Sequence, residues 1–106
     1  MKTTKQLLGA RIKELRKYRG LSQEQLAEKV DVDPKYVSFI ECGRSSPSLE
    51  TMDSIARALN VEIKDLFEFM HLQAGGVKVE EIEKLLEGAD EEKKRTIMKI
   101  VRAVVR

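Results

Sequence analysis

The fold class that this sequence predicts is all-α, and three observations predict it. Apolar residues recur at helical spacing, the only prolines in 106 residues are Pro34 and Pro47, and aromatics make up 5% of a chain that is 42% hydrophobic and 36% charged. A chain of this length supplies core for about one compact domain with a small appendage, and too little for a two-domain enzyme. No apolar run approaches the roughly 18 residues that a membrane span requires, and no apolar stretch follows Lys2 and Lys5, so a cytoplasmic location is expected. A single cysteine, Cys42, cannot form an intramolecular disulfide, and with the lone His71 it does not complete a metal-ligand set; no metal or other cofactor is expected.

The elements follow in chain order. Leu7, Leu8, Ile12 and Leu15 share one face of a helix from about Lys5 to Tyr18, which Gly20 stops. Ser22 and Gln25 form the S-x-x-Q pattern of a capping box and start a second helix of about Gln23 to Lys29, with Leu26, Ala27 and Val30 inward. Small Ala27 lets another helix approach closely. Asp33 is a good N-cap, and Pro34 fits the first helical position, where its missing N–H costs nothing, so a third helix runs from about Pro34 to Glu41. Val37 and Ile40 face inward; Lys35, Ser38 and Phe39 lie on the outer side, and Gly43 closes the helix. Ser48 caps a fourth helix of about Leu49 to Leu59, with Met52, Ile55, Ala56 and Leu59 inward and Asn60 at its end. A short fifth helix covers about Glu62 to Phe69.

After Met70 the composition shifts, and Gly75 with Gly76 favours a flexible joint. The expected division is a five-helix domain over 1–70, a linker over 71–78 and two C-terminal helices over 79–106. Val79, Ile82, Leu85 and Leu86 line the sixth helix, which ends at Gly88. Asp90 caps the seventh, whose Ile97, Ile100, Val101, Val104 and Val105 fall at i, i+3, i+4, i+7 and i+8. Charge is divided in the same sense. Residues 1–20 carry Lys2, Lys5, Arg11, Lys13, Arg16, Lys17 and Arg19 against Glu14 alone, whereas residues 79–92 are rich in Glu and Asp. The net charge of +2 does not argue for nucleic acid, but its distribution lets the N-terminal end face an anion.

The corner between the second and third helices is abrupt: two helices joined by a few residues, the second exposing polar and aromatic side chains, match a helix-turn-helix. From Leu8 to Phe69, roughly two thirds of the chain, the sequence resembles the Xre/Cro helix-turn-helix repressors, the lambda-repressor-like DNA-binding domains. The motifs that carry the resemblance occur in order: R-x-x-x-G-L-S-Q, L-A, Val37, I-E-x-G, P-S and A-x-A-L-x-V. It implies that Gln23 opens the helix-turn-helix, that Ala27 is its small contact residue, that Val37 and Ile40 anchor the recognition helix, and that Arg16 and Glu41 form a buried structural ion pair. Two positions depart from the pattern. Asp31 stands where the family commonly has Gly in the turn, a place that calls for left-handed backbone, which Asp tolerates better than most residues. Cys42 replaces a polar residue and has two readings, a redox switch beside Gly43 and Arg44 or a small neutral filler; the filler is favoured, since nothing in the sequence indicates an activated thiol.

The resemblance implies double-stranded DNA as partner. Lys35 is the first choice for a guanine O6 or N7, Phe39 for packing on a thymine methyl, Ser38 for either task, and Pro34 joins them at the head of the helix. Gln23, Arg44, Ser45, Lys5 and Arg11 are the expected phosphate contacts, helped by the dipole at the start of the second helix. Tyr36 has two readings, a phosphate contact or surface packing. The tail has four: a solvated extension, a homodimerisation element built on Ile97, Ile100, Val101, Val104 and Val105, a platform for another protein, or packing on its own domain. A dimer is favoured, because one recognition helix reads few base pairs and a two-fold pair reads two half-sites. The leading function is therefore a dimeric transcriptional repressor; the alternative is an antitoxin-like or adaptor protein acting through its C-terminal helices. An enzyme is disfavoured, because no nucleophile with a base, Gly-rich phosphate loop or metal cluster is present in the sequence, and no small-molecule ligand is evident.

Overall fold

In the computed structural model, which describes residues 2–69 and 79–105 but not the side chains of 79–81 and 103–105, every described element is a helix. They are α1 (Thr4–Tyr18), α2 (Gln23–Val30), α3 (Pro34–Glu41), α4 (Leu49–Ala58), α5 (Ile63–Leu66), α6 (Val79–Leu85) and α7 (Glu91–Val105). Starts are capped as side-chain chemistry requires. Ser22 Oγ accepts from the Gln25 amide at 3.0 Å while Gln25 Oε1 accepts from the Ser22 amide at 2.8 Å. Thr3 and Gln6 make the same reciprocal pair at the head of α1, at 3.2 and 2.8 Å. Asp33 Oδ1 accepts from the Lys35 amide at 2.7 Å, and Ser48 Oγ from the Thr51 amide at 3.1 Å. Each cap satisfies a donor that the helix leaves without a partner, and its removal costs about 1 kcal/mol.

Four helices end by one device. A residue with positive φ follows each of α1 to α4 or its last turn: Gly20, Asp31, Gly43 and Asn60. The next amide then reaches back to a carbonyl five residues earlier, as in Leu21 N–H to Arg16 O at 3.1 Å and Val32 N–H to Ala27 O at 3.0 Å. Such closures consume carbonyls that the helix end would otherwise orphan, and they let the chain reverse within two or three residues. Arg19 adds a side-chain version for α4, donating from Nε to Leu59 O at 2.7 Å and from Nη2 to Asn60 O at 3.2 Å.

The core is one apolar cluster in which Leu8, Ile12, Leu26, Val37, Ile40, Leu49, Met52, Ile55 and Leu59 are almost completely buried. Burying each such side chain contributes roughly 1.5–3 kcal/mol, against the entropy of ordering it. The stripes inferred for α1 to α4 are the faces that point inward. The fifth helix is shorter than inferred, a single turn, after which Phe67 and Phe69 fold into the core with their ring centroids 6.5 Å apart. Two aromatics on a polar-looking stretch carry too little periodicity to reveal that packing.

The C-terminal pair joins the same cluster. Ile82 and Leu86 of the α6 region are buried, as are Ile97, Met98 and Val101 of α7; α6 packs on α1, and α7 on α5 and α6. Arg102 Nη2 and Glu83 Oε1, 3.4 Å apart, bridge the two helices at the surface. Of the stripe assigned to dimerisation, Ile97 and Val101 are therefore covered by this chain itself, because each sits on the side of α7 that faces α5 and α6. Ile100 is half-buried, and the side chains of Val104 and Val105 lie outside the described residues, as does the inferred linker 71–78.

Candidate nucleic-acid interface

The site begins with the corner between α2 and α3. Only Asp31, Val32 and Asp33 separate them. Asp31 sits at φ 58° and ψ 48°, in the left-handed region, and its amide donates to Glu28 O at 3.3 Å. A Cβ disfavours this conformation, and Asp tolerates it at reduced cost. Asp31→Gly is expected to raise stability by about 0.5 kcal/mol, the relief of strain exceeding the extra entropy that Gly loses on folding, and a thermal melt reads it out as a higher Tm.

Behind the corner, α3 is held by charge as well as by Val37 and Ile40. Arg16 Nε lies 2.6 Å from Glu41 Oε2, and Arg16 Nη2 lies 3.0 Å from Glu41 Oε1, with side chains 8% and 3% exposed. Arg16 Nη1 donates to Leu21 O at 2.7 Å. Gln23 Nε2 donates to the same Glu41 Oε1 at 3.0 Å, so one carboxylate ties α1, the head of α2 and the end of α3 together. The pair resists water because its donors and acceptors are matched in a fork geometry. Among the described residues no buried side-chain N or O atom lacks a hydrogen-bond partner.

α1 crosses α3 at Gly9. A Cβ built there would stand 2.1 Å from Ile40 O and 2.8 Å from Glu41 O, so only Gly fits. Apolar periodicity does not single out Gly9; its one signal is an isolated Gly inside a helical pattern, which costs helix stability and so points to a packing reason.

With α3 seated in this way, its outer side and the head of α2 border an open groove of about 570 Å³. Arg16, Ser22, Gln23, Glu24, Asp33, Pro34, Lys35 and Ser38 line it. Pro34 and Lys35 are exposed and Ser38 is half-buried. Phe39, 36% exposed, lies one turn beyond Lys35 on the outer side of α3, beside exposed Arg44 and half-buried Ser45. Lys5 is exposed next to Gln6, whose side chain and Cα abut Gly43, so it lies near that end of α3.

Three residues expected at phosphate are otherwise engaged. Arg11 donates from Nε to Asp65 O at 2.8 Å and from Nη2 to Glu68 Oε2 at 3.0 Å, and also pairs with Glu14; its guanidinium braces α1 to α5 and is not offered to a ligand. Gln23 has one of its two amide N–H groups committed to Glu41, which leaves the other for a phosphate. Tyr36 is half-buried and packs against the core. Cys42 is exposed, its thiol 3.5 Å from Phe39 O.

Comparison with known proteins bears on this pair, in which an outward helix borders a groove and is joined to its neighbour by three residues. Residues 12–66 match the helix-turn-helix family HTH_3. This chain belongs to that family. An uncharacterised HTH-type transcriptional regulator of Archaeoglobus fulgidus is 46% identical over 59 residues, 56% of this chain and 84% of the relative. The immunity repressor protein of Bacillus phage phi105 is 45% identical over 56 residues, 53% of this chain but 39% of the repressor. Among solved structures, the restriction-modification controller protein C.AhdI of Aeromonas hydrophila superposes with a TM-score of 0.58 at 40% identity, over 58% of this chain and 94% of the controller. In helix-turn-helix terms α2 is the bracing helix and α3 the recognition helix. The matched residues end at Leu66, so α6 and α7 lie beyond the family's own unit.

Proposed function

We propose that this protein is a sequence-specific DNA-binding transcriptional regulator, a repressor that acts as a homodimer and reads an inverted-repeat operator through the major groove. The observation that carries the reading is the division of α3. Val37, Ile40 and Glu41 are buried while Pro34, Lys35, Ser38 and Phe39 are left at the surface, so the helix is anchored by one face and free to read with the other. The major groove of B-DNA, about 12 Å wide, admits one α-helix. Lys35 takes a guanine O6 or N7, and Ser38 and Pro34 adjoin it. Arg44, Ser45, Lys5 and the uncommitted N–H of Gln23 hold phosphates, along with the amides at the start of α2.

A second protomer is brought in by the tail, where Ile100 is half-buried and Ile97 and Val101 support it from within. The reading includes no catalysis and a cytoplasmic site of action; no helix among the described residues is long and apolar enough to cross a membrane. The adaptor alternative draws no support from relatives named as transcriptional regulators and an immunity repressor.

Lys35→Ala tests the central contact. Binding measured by fluorescence anisotropy against an operator and its single-base variants is expected to fall by about 1–3 kcal/mol, with the preference lost at one base position per half-site. Equal losses on every duplex would contradict the role given to Lys35.

A further inference from the structure

Phe39 is the exposed aromatic of the recognition helix, and its ring is not alone. The Arg44 guanidinium carbon lies 6.0 Å from the ring centroid, within the range of a cation–π contact. The backbone enforces the pairing. α3 stops at Glu41, Gly43 adopts φ +80°, and the chain turns back so that the Arg44 and Ser45 amides donate to Phe39 O at 2.9 and 3.2 Å. The Cys42 thiol, 3.5 Å from that oxygen, completes a loop gathered on one carbonyl. Among the described residues Arg44 makes no ion pair or side-chain hydrogen bond, so its five N–H donors stay available while its guanidinium lies over the ring.

We infer that Phe39 and Arg44 act as one unit that reads the C5-methyl group of a pyrimidine in the major groove, with Arg44 the positioning residue that fixes the ring while its N–H groups hold the neighbouring phosphate. The inference rests on the DNA-reading role proposed above for α3. A benzyl side chain has two χ angles to sweep in water. A planar cation over one face leaves the other face and the edge to meet a small apolar group, and in the major groove the only apolar group on a base edge is a C5-methyl. Thymine and 5-methylcytosine both carry it. Lys in place of Arg keeps the charge for phosphate but loses the planar stacking surface.

The test uses the full chain and an operator recovered by selection, in which each thymine is replaced in turn by deoxyuridine and each cytosine by 5-methylcytosine. Loss of one methyl at one position per half-site is expected to weaken binding about fourfold, or its gain on a cytosine there to strengthen binding by as much. Either result supports the inference, and which one appears identifies the base. Phe39→Ala is expected to abolish the methyl effect. Arg44→Lys should keep the salt dependence of binding yet shrink the methyl effect, whereas Arg44→Ala should reduce the salt slope by about one as well. A merely structural or merely phosphate-binding Arg44 leaves the methyl effect unchanged in both variants, and that result overturns its positioning role. Specific binding in which no methyl substitution alters affinity overturns the reading of the methyl group. Failure of selection to recover any operator strikes instead at the DNA-reading proposal beneath it.

Discussion

Glu41→Ala is expected to destabilise the protein by about 3–5 kcal/mol, a large share of the 5–15 kcal/mol that a domain of this size commands. Glu41 is 7% exposed and accepts from Arg16 Nε, Arg16 Nη2 and Gln23 Nε2. Its loss strands a guanidinium inside the protein, with one bond to Leu21 O remaining. The cost comes from the charge left behind, not from a high net value of the intact pair, because desolvation offsets much of the attraction between buried ions. The double variant Arg16→Met, Glu41→Leu is therefore expected to recover most of the stability that Glu41→Ala loses. Urea denaturation followed by circular dichroism measures both; a double variant no more stable than the single one would contradict this account of the pair.

Gly9→Ala is expected to cost about 3 kcal/mol and to weaken operator binding by about tenfold or more. Carbon and carbonyl oxygen do not ordinarily approach closer than about 3.3 Å, and the added Cβ would stand 2.1 Å from Ile40 O. The obstacle is backbone, so α3 has to back away from α1 by about 1 Å, and the side chains it presents move with it. Gly20→Ala is the control. Its φ of +72° makes the change strained, yet nothing lies within 4 Å of the added Cβ, so DNA binding should be unchanged at a cost of about 1 kcal/mol. Gly9→Ala with wild-type affinity for operator would show that the α1–α3 crossing does not set the position of the recognition helix.

Much of this architecture is legible in the sequence because local chemistry and global fold agree. Ser22 with Gln25, Asp33 before Pro34, and Ser48 mark helix starts whose hydrogen bonds the structure contains. Apolar spacing along α1 to α4 identifies the buried faces for the same reason: a helix has one stripe to bury. What local pattern does not reveal has a different cause, contacts between residues far apart in the chain. Arg11 reads as one more basic residue in a basic segment, and nothing local reveals that Asp65 of α5 and Glu68 just beyond it close on it. Gln23 reads as a free polar head of α2 because its link to Glu41 spans 18 positions. The tail stripe favours a partner by pattern, yet Ile97 and Val101 are covered by their own chain, since periodicity tells that a face is apolar and not what covers it. Phe39 with Arg44 lies between these cases: both residues are outward by pattern, but their pairing depends on a turn at Gly43 that returns the chain over α3.

The measurement that tests the account most directly is selection of bound duplexes from a random pool by the intact protein at near-physiological salt. The account predicts enrichment of inverted half-sites about one helical turn, roughly 34 Å, apart, with one methyl-bearing pyrimidine in each half. Weak binding that falls steeply with salt and enriches no sequence would contradict it, because phosphate attraction alone would then account for all the affinity and α3 would read nothing.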